Sequence, residues 1–321
     1  MRTISVLAAA VTLLAACAAD RAPGPPASAA SIATDAPRVS VAPAPAGSTA
    51  IPSRTPGIPP FDHIYLIVME NHEFGSIVGS PAAPYLNSLV DRYALATDYH
   101  AVAHPSQPNY LAIWAGSTFG IRDDGSHDLT ARTVADQVEA AGRTWHVYAQ
   151  GLPRECATVA IADAGVDLVG AAGTYARKHE PAISFTSVSG DRARCARITR
   201  LETFSASAAD LELIVPNQTN DMHDGTIGQG DAFLRAFVPR IVDSPGFGNS
   251  LLVITFDEGT TSAGGGGRVA TVIVSPKVRP GARSDRPHDH YSLLRTIQDA
   301  WGLGCLERSC DANDLGDLFG P

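Results

Sequence analysis

Five stretches of the chain are continuous apolar runs that end in polar residues: HIYLIVMEN from His63, RTWHVYAQG from Arg143, LELIVPN from Leu211, SLLVITFDEG from Ser250 and RVATVIVSP from Arg268. Runs of this length and β-branched content read as strands buried on both faces, the pattern of a parallel sheet. Between them lie segments with helical spacing. PYLNSLVDRYALA (Pro84 to Ala96) has a proline at its start, and YLAIWAG follows a Pro-Ser-Gln-Pro-Asn turn. LTARTVADQVEAAG is stopped by Gly142, GQGDAFLRAFVPRIVDS returns the chain, and HYSLLRTIQDAWG closes it. Strands alternating with helices predict an α/β domain, a three-layer α/β/α sandwich around a mostly parallel central sheet. From Leu152 to about Ser205 the pattern weakens, and this region reads as an excursion over the sheet.

The ends change the picture. Arg2 precedes an apolar run too short to span a bilayer, ending in Leu14-Ala15-Ala16-Cys17. This predicts a signal peptide over 1–16. The last four residues resemble a bacterial lipobox, which makes Cys17 a lipidated first residue; an ordinary signal peptide is the other reading. Residues 17–59 are mostly Ala, Pro, Ser, Gly and Thr, too poor in large apolar groups to offset chain entropy, and read as a disordered tether. The remaining 60–321 is one catalytic-sized domain. Export is expected, as a cell-membrane lipoprotein held by its lipid anchor or as a secreted protein. Beyond Cys17 the cysteines are Cys156, Cys195, Cys305 and Cys310. An even number in an exported chain predicts two disulfides; of three pairings, proximity in sequence favours Cys156–Cys195 and Cys305–Cys310. Net charge is -9 with no Lys/Arg block, which argues against a nucleic-acid partner.

Candidate chemistry sits where the strands end, the place where open α/β sheets bind ligands. Glu70-Asn71 follows the first strand, Asp221, His223 and Asp224 follow LELIVPN, and Asp257-Glu258 follows SLLVITF. His290 opens the last helix. Ser106 opens the helix after the Pro-rich turn, where free backbone N–H groups favour an anion. A serine there is also a common inert cap, so the residue alone leaves both readings open. Oxygen and imidazole donors converging on one sheet edge beside a hydroxyl predict a metal-assisted hydrolytic site.

Six motifs in order, MEN (69–71), HPSQPNYLA, the YxxxHxP of Tyr175 to Pro181, PNxxNDMHDG, TFDEG and HDHYSLLRTI, resemble the bacterial phosphoesterase family. That family holds secreted acid phosphatases and phospholipases C within the alkaline phosphatase superfamily, and the actinobacterial acid phosphatases are nearest. The resemblance implies an alkaline-phosphatase-like fold and an exported phosphomonoesterase working through a phosphoserine on Ser106. Phosphate monoesters, phosphoinositides among them, are the implied substrates, and a monomer is expected. A phospholipase C-type phosphodiesterase is the alternative. By the same resemblance Asn109, His179 and His223 contact the phosphate, and His179, His223 and His290 are candidates for proton transfer. Glu70, Asn71, Ser106, Asp257 and Glu258 hold a metal, with Asp221, Asp224 and His290 at a possible second site. Two-zinc relatives place Asp-His where this chain has Asp257-Glu258, and a lone Asp where it has Glu70-Asn71. One divalent cation is therefore expected, with zinc, magnesium and calcium all open.

Overall fold

A computed structural model describes residues 57–166 and 172–319. The expected leader, Cys17 and the tether as far as residue 56 lie outside the described residues. The central sheet has eight strands: β1 (His63–Met69), β2 (Ala94–Ala96), β3 (Trp145–Ala149), β4 (Ile198–Arg200), β5 (Leu211–Val215), β6 (Ser250–Phe256), β7 (Thr271–Val274) and β8 (Arg283–Ser284). Their order is β8-β2-β7-β6-β1-β5-β3-β4. Only β7 runs against the others, pairing antiparallel with β6 on one side and β2 on the other. All other pairings in the sheet are parallel.

β1 occupies the middle, and its register fixes the geometry that follows. Ile67 lies opposite Ile214 of β5 and Ile254 of β6, and Met69 lies opposite Phe256. The three strands therefore end nearly level. Their side chains are buried on both faces, which is why the sequence shows unbroken apolar runs instead of alternation.

The helices include α1 (Pro84–Arg92), α2 (Ser106–Ala115), α3 (Val134–Ala140), α4 (Ile227–Phe237) and α5 (His290–Trp301). They pair off, α1 against α4 and α2 against α5, as the outer layers of the sandwich. Three start on reciprocal caps: Thr133 with Asp136, Thr226 with Gln229, and Asp289 with Ser292. Two helices are shorter than their spacing predicts. The first stops at Arg92, because Ala94–Ala96 pair with β7 and become a strand. The second starts only after Thr133, because Leu129 exchanges backbone hydrogen bonds with Ser184 and Thr186. The weakly patterned excursion contains an antiparallel hairpin, Ile161–Val166 with Ala172–Ala176. Cys156 pairs with Cys195 and Cys305 with Cys310, the pairing favoured on proximity.

β5 also buries a carboxyl group, that of Glu212. It accepts a hydrogen bond from the Ala209 N–H at 3.1 Å, yet burial pushes it from 4.5 up to about 8. The folded state holds this proton where the unfolded chain has lost it. That contribution to stability is full below pH 4.5 and is lost as pH rises through about 8. Glu212→Gln should therefore flatten the fall in thermal midpoint between those pH values, measured against the native chain. An unchanged slope would show that Glu212 is not protonated in the fold.

Candidate active site

Three loops at the carboxyl edge of the sheet deliver the site. The Glu70 N–H donates to the Asp221 carbonyl at 2.8 Å, and the Asp257 N–H donates to the Met69 carbonyl at 2.8 Å. The ends of β1, β5 and β6 are thus locked together. Asn71 adopts a left-handed φ of 54°, a conformation asparagine tolerates, and its N–H donates to Asp257 Oδ1 at 3.3 Å. Glu70, Asp221 and Asp257 are all buried.

Ser106 sits above them as the first residue of α2. Its hydroxyl donates to Glu70 Oε2 at 3.1 Å and accepts from the Lys178 ammonium at 3.3 Å. Tyr110, one turn along the helix, donates to Glu70 Oε1 at 2.6 Å. Lys178 Nζ also donates to Asp124 Oδ2 and to His223 Nε2, both at 3.1 Å. An ammonium only donates, so His223 Nε2 is the acceptor. Its Nδ1 then carries the proton and donates to Asp224 Oδ1 at 2.7 Å. One continuous path runs Asp224, His223, Lys178, Ser106.

The electrostatics are those of a cation site. Burial first, then the neighbouring Asp257 and Asp221, push the Glu70 carboxyl far above its usual range. Asp221 is raised in the same way, by burial, with Asp257 and Asp224 adding to it. Asp257 is pushed to about 7 by burial and by Glu258. Burial would lower Lys178, but Glu70 and Asp124 outweigh it and hold the ammonium charged. His179 is pushed down by burial, Lys178 and His223, so its ring is neutral.

That neutral ring bears on what the cluster could hold. His179 Nε2 lies 3.1 Å from Glu70 Oε1 and Nδ1 lies 3.2 Å from Asp221 Oδ2. A neutral imidazole has one N–H, so one of these contacts sets a lone pair against a carboxylate. Neither has hydrogen-bond geometry: His179 Nε2 and Asp221 Oδ2 are buried without a hydrogen-bond partner, as is Asp257 Oδ2. Ligand atoms of Glu70, His179 and Asp221 lie within 4.8 Å of one another. Orphaned donor atoms and repelling carboxylates in this arrangement fit a divalent cation.

Other expected residues stand around this centre. Glu258 Oε2 pairs with His104 Nδ1 at 2.8 Å, and His104 Nε2 donates to the Thr261 carbonyl at 2.8 Å. Burial alone would lower His104, but the Thr261 carbonyl and Glu258 raise it. Asn109 was expected on the phosphate. Its amide oxygen instead accepts from Val102 and Ala103 N–H, at 3.0 and 3.1 Å, and its amide nitrogen donates to the Ala103 carbonyl at 2.9 Å. It shapes the turn before Ser106. His290 was expected at a metal or a proton-transfer position. Its Nε2 donates to the Asp257 carbonyl and its Nδ1 accepts from Tyr99 at 3.1 Å, so both ring nitrogens are spent on the scaffold. Lys178, Tyr110 and Asp124 were not singled out from sequence. Lys178 stood beside His179 inside the YxxxHxP motif, but a lysine next to a histidine carries no signal until the fold aims it.

The model of the Phosphoesterase family matches residues 80–304. The phosphatidylinositol-3-phosphatase of Mycobacterium tuberculosis is 32% identical over 273 residues, 82% of this chain and 84% of that protein. The chain belongs to the Phosphoesterase family. Two fungal relatives of this phosphoesterase are also similar. An acid phosphatase of Aspergillus fumigatus is 30% identical, covering 79% of this chain and 58% of that protein. The phosphate-repressible acid phosphatase of Penicillium chrysogenum is 32% identical, covering 79% and 63%. The chain thus spans less than two thirds of either fungal relative.

Among solved structures, an alkaline phosphatase superfamily protein from Vibrio parahaemolyticus superposes with a TM-score of 0.54. It is 12% identical and covers 82% of this chain and 71% of its own. The lipoteichoic acid synthase LtaP from Listeria monocytogenes gives 0.57 at 7% identity, covering 84% and 78%. At such identities the likeness is one of fold. Glu70 precedes the span matched by the family model, yet the structure makes it the partner of Ser106.

If this phosphoesterase holds a cation between these carboxylates, adding zinc, magnesium or calcium to chelator-stripped protein should raise its thermal midpoint. Asp257→Asn should remove most of that shift. No shift with any of the three would overturn the cation reading.

Proposed function

We propose that this phosphoesterase is a phosphomonoesterase that forms a phosphoserine on Ser106, assisted by a single divalent cation. The observation carrying this reading is the buried Ser106 hydroxyl, held 3.1 Å from a carboxylate oxygen and 3.3 Å from an ammonium at the carboxyl edge of the sheet. Glu70, His179, Asp221 and Asp257 are the residues that would hold the cation. What a cation supplies there is neutralisation of charge on the carboxylates and on the phosphate oxygens.

The remaining chemistry belongs to side chains. Ser106 Oγ attacks phosphorus, its proton passing to Glu70 Oε2, while Lys178 stabilises the developing alkoxide and the transferred phosphoryl group. The leaving alcohol departs with a proton from the Lys178–His223 pair. Water then attacks phosphorus and gives a proton back to the Lys178–His223 pair, the phosphoserine P–O bond breaks, phosphate leaves, and Ser106 Oγ takes back its proton from Glu70. Asp224 keeps His223 in the tautomer that faces Lys178.

The relatives named acid phosphatases and phosphatidylinositol-3-phosphatase support monoesters, phosphoinositides included, as the substrates. Arg2, the apolar run up to Cys17 and the two disulfides support export, with Cys17 as the lipid anchor. No described helix is long and apolar enough to cross a membrane.

Ser106→Ala should abolish hydrolysis of p-nitrophenyl phosphate and the acid-stable phosphoryl label on the protein, with the circular dichroism spectrum unchanged. Full activity in that variant would refute the nucleophile. Lys178→Met should lower kcat by about 10² or more, as loss of a preorganised charge does, with a smaller change in KM. An unchanged kcat would remove Lys178 from the mechanism. Faster turnover of phosphatidylcholine than of a phosphomonoester would replace the monoesterase with a diesterase.

A further inference from the structure

A second cavity adjoins the Ser106 turn. It has a volume of about 410 Å³, and its lining includes His104, Arg122, Ser262, Tyr291 and Arg308. Two loops bound both this cavity and the active site. One carries Arg122 on the cavity side and Asp124, the partner of Lys178, on the other. The second carries Glu258 at the site and Ser262 at the cavity. His104 lies between, its ring touching Glu258 while it lines the cavity. The two spaces are neighbours that share these loops and His104.

The charge of the cavity is opposite to that of its surroundings. The chain carries a net -9, and the active site gathers Glu70, Asp221, Asp257, Glu258 and Asp124. No carboxylate lines the cavity, and among the described residues neither Arg122 nor Arg308 has a salt-bridge partner. Arg308 rests on the Tyr291 ring, 4.6 Å from its centroid, with Nη1 3.5 Å from the Tyr291 hydroxyl. Its backbone is fixed as well. The Arg308 N–H donates to the Gly116 carbonyl at 3.0 Å, and the Cys305–Cys310 disulfide closes the turn around it. At Gly116 a Cβ would stand 2.3 Å from the Leu306 carbonyl, so the end of α2 and this turn meet at backbone contact. The helix that begins with the nucleophile therefore ends on the segment presenting Arg308.

Two arginines without acidic partners, in a concave space beside the proposed phosphate-cleaving centre, match a multidentate oxyanion, since the planar guanidinium donates in parallel to two oxygens of a phosphate. We propose that this cavity receives a second anionic group, a phosphate or phosphodiester carried by the leaving portion of the substrate. Among the phosphomonoesters already proposed as substrates, this subsite would favour those whose alcohol bears a further phosphate or phosphodiester. The electrostatic logic is that a doubly anionic substrate is repelled by the acidic edge of the site unless its second charge is met by Arg122 and Arg308. The proposal rests on the phosphomonoesterase reading for the position of the cleaved group.

The test uses the full chain and the double variant Arg122→Gln/Arg308→Gln with three substrates. These are p-nitrophenyl phosphate, which has no second anion, soluble fructose 1,6-bisphosphate, and dioctanoyl phosphatidylinositol 3-phosphate. The double variant should keep its kcat/KM on p-nitrophenyl phosphate. It should lose about tenfold or more, through KM, on a substrate with a second phosphate, the loss of one charge-assisted contact or more. Loss on the soluble bisphosphate identifies a free phosphate as the ligand, and loss on the lipid alone identifies a headgroup diester. Equal loss on all three substrates, or loss on none, overturns the proposal. If the native chain hydrolyses none of them, the phosphomonoesterase reading has failed, and calorimetry with fructose 1,6-bisphosphate decides the cavity separately. Tighter binding to the native chain than to the double variant supports the anion site, and equal binding overturns it.

Discussion

Mutual repulsion among buried carboxylates is the constraint on which this site depends. Glu70, Asp221 and Asp257 meet at the carboxyl edge of the sheet with Glu258 beside them, all shielded from water. Two unit charges 4 Å apart repel by about 4 kcal/mol at an effective dielectric of about 20. A cluster of this kind is tolerated only with positive charge or protons among its members. Lys178 supplies one charge, and a divalent cation would supply the rest. The same need explains why Lys178 reaches so many groups, touching Ser106, Asp124 and His223 at once. Stability and the proposed chemistry pose the same electrostatic problem, since the positive charge that would hold the carboxylates together would also favour an alkoxide on Ser106.

The sheet makes the cluster possible. Because β1 pairs in parallel with both β5 and β6, three successive strand ends release their loops at one level. Backbone hydrogen bonds from Glu70 to Asp221 and from Asp257 to Met69 then fix the carboxylates within a narrow space. Side chains that bond to the scaffold support this frame. Asn109 ties the turn before Ser106, and His290 holds the Asp257 carbonyl. Their buried polar atoms are satisfied by backbone groups and, at His290 Nδ1, by the Tyr99 hydroxyl, which is how such residues rigidify a site.

The cavity lined by Arg122 and Arg308 extends this picture outward. The proposed phosphate-cleaving centre is acidic apart from Lys178, whereas the adjoining space carries Arg122 and Arg308. A substrate with two anionic groups would be aligned by that gradient. The disulfide between Cys305 and Cys310 gains a reason beyond stability, since it shapes the turn that carries Arg308.

By itself the sequence determined the five long strands, β1, β3, β5, β6 and β7, most helices, the Ser106 turn and the carboxylates after β1, β5 and β6, while the short edge strands β2, β4 and β8 escaped it. Each of these is a local pattern, an apolar run or a polar cluster at its end, and local patterns survive in one dimension. It also carried the disulfide partners through proximity. Only the tertiary structure decided which of the chemically apt residues meet. Lys178 and Tyr110 were not distinguished from their neighbours in the sequence, and their position at Ser106 and Glu70 comes from where the turn at Arg177–His179 and α2 aim them across long separations. Asn109 and His290 look like ligands in sequence, yet the fold pairs Asn109 with backbone groups and His290 with the Asp257 carbonyl and the Tyr99 hydroxyl. Ala94–Ala96 look helical, yet the sheet claims them, because the antiparallel β7 requires a neighbour on its far side. A side chain's type is written in the chain, but its hydrogen-bond partner is chosen by whatever packing brings within 3 Å or so of it.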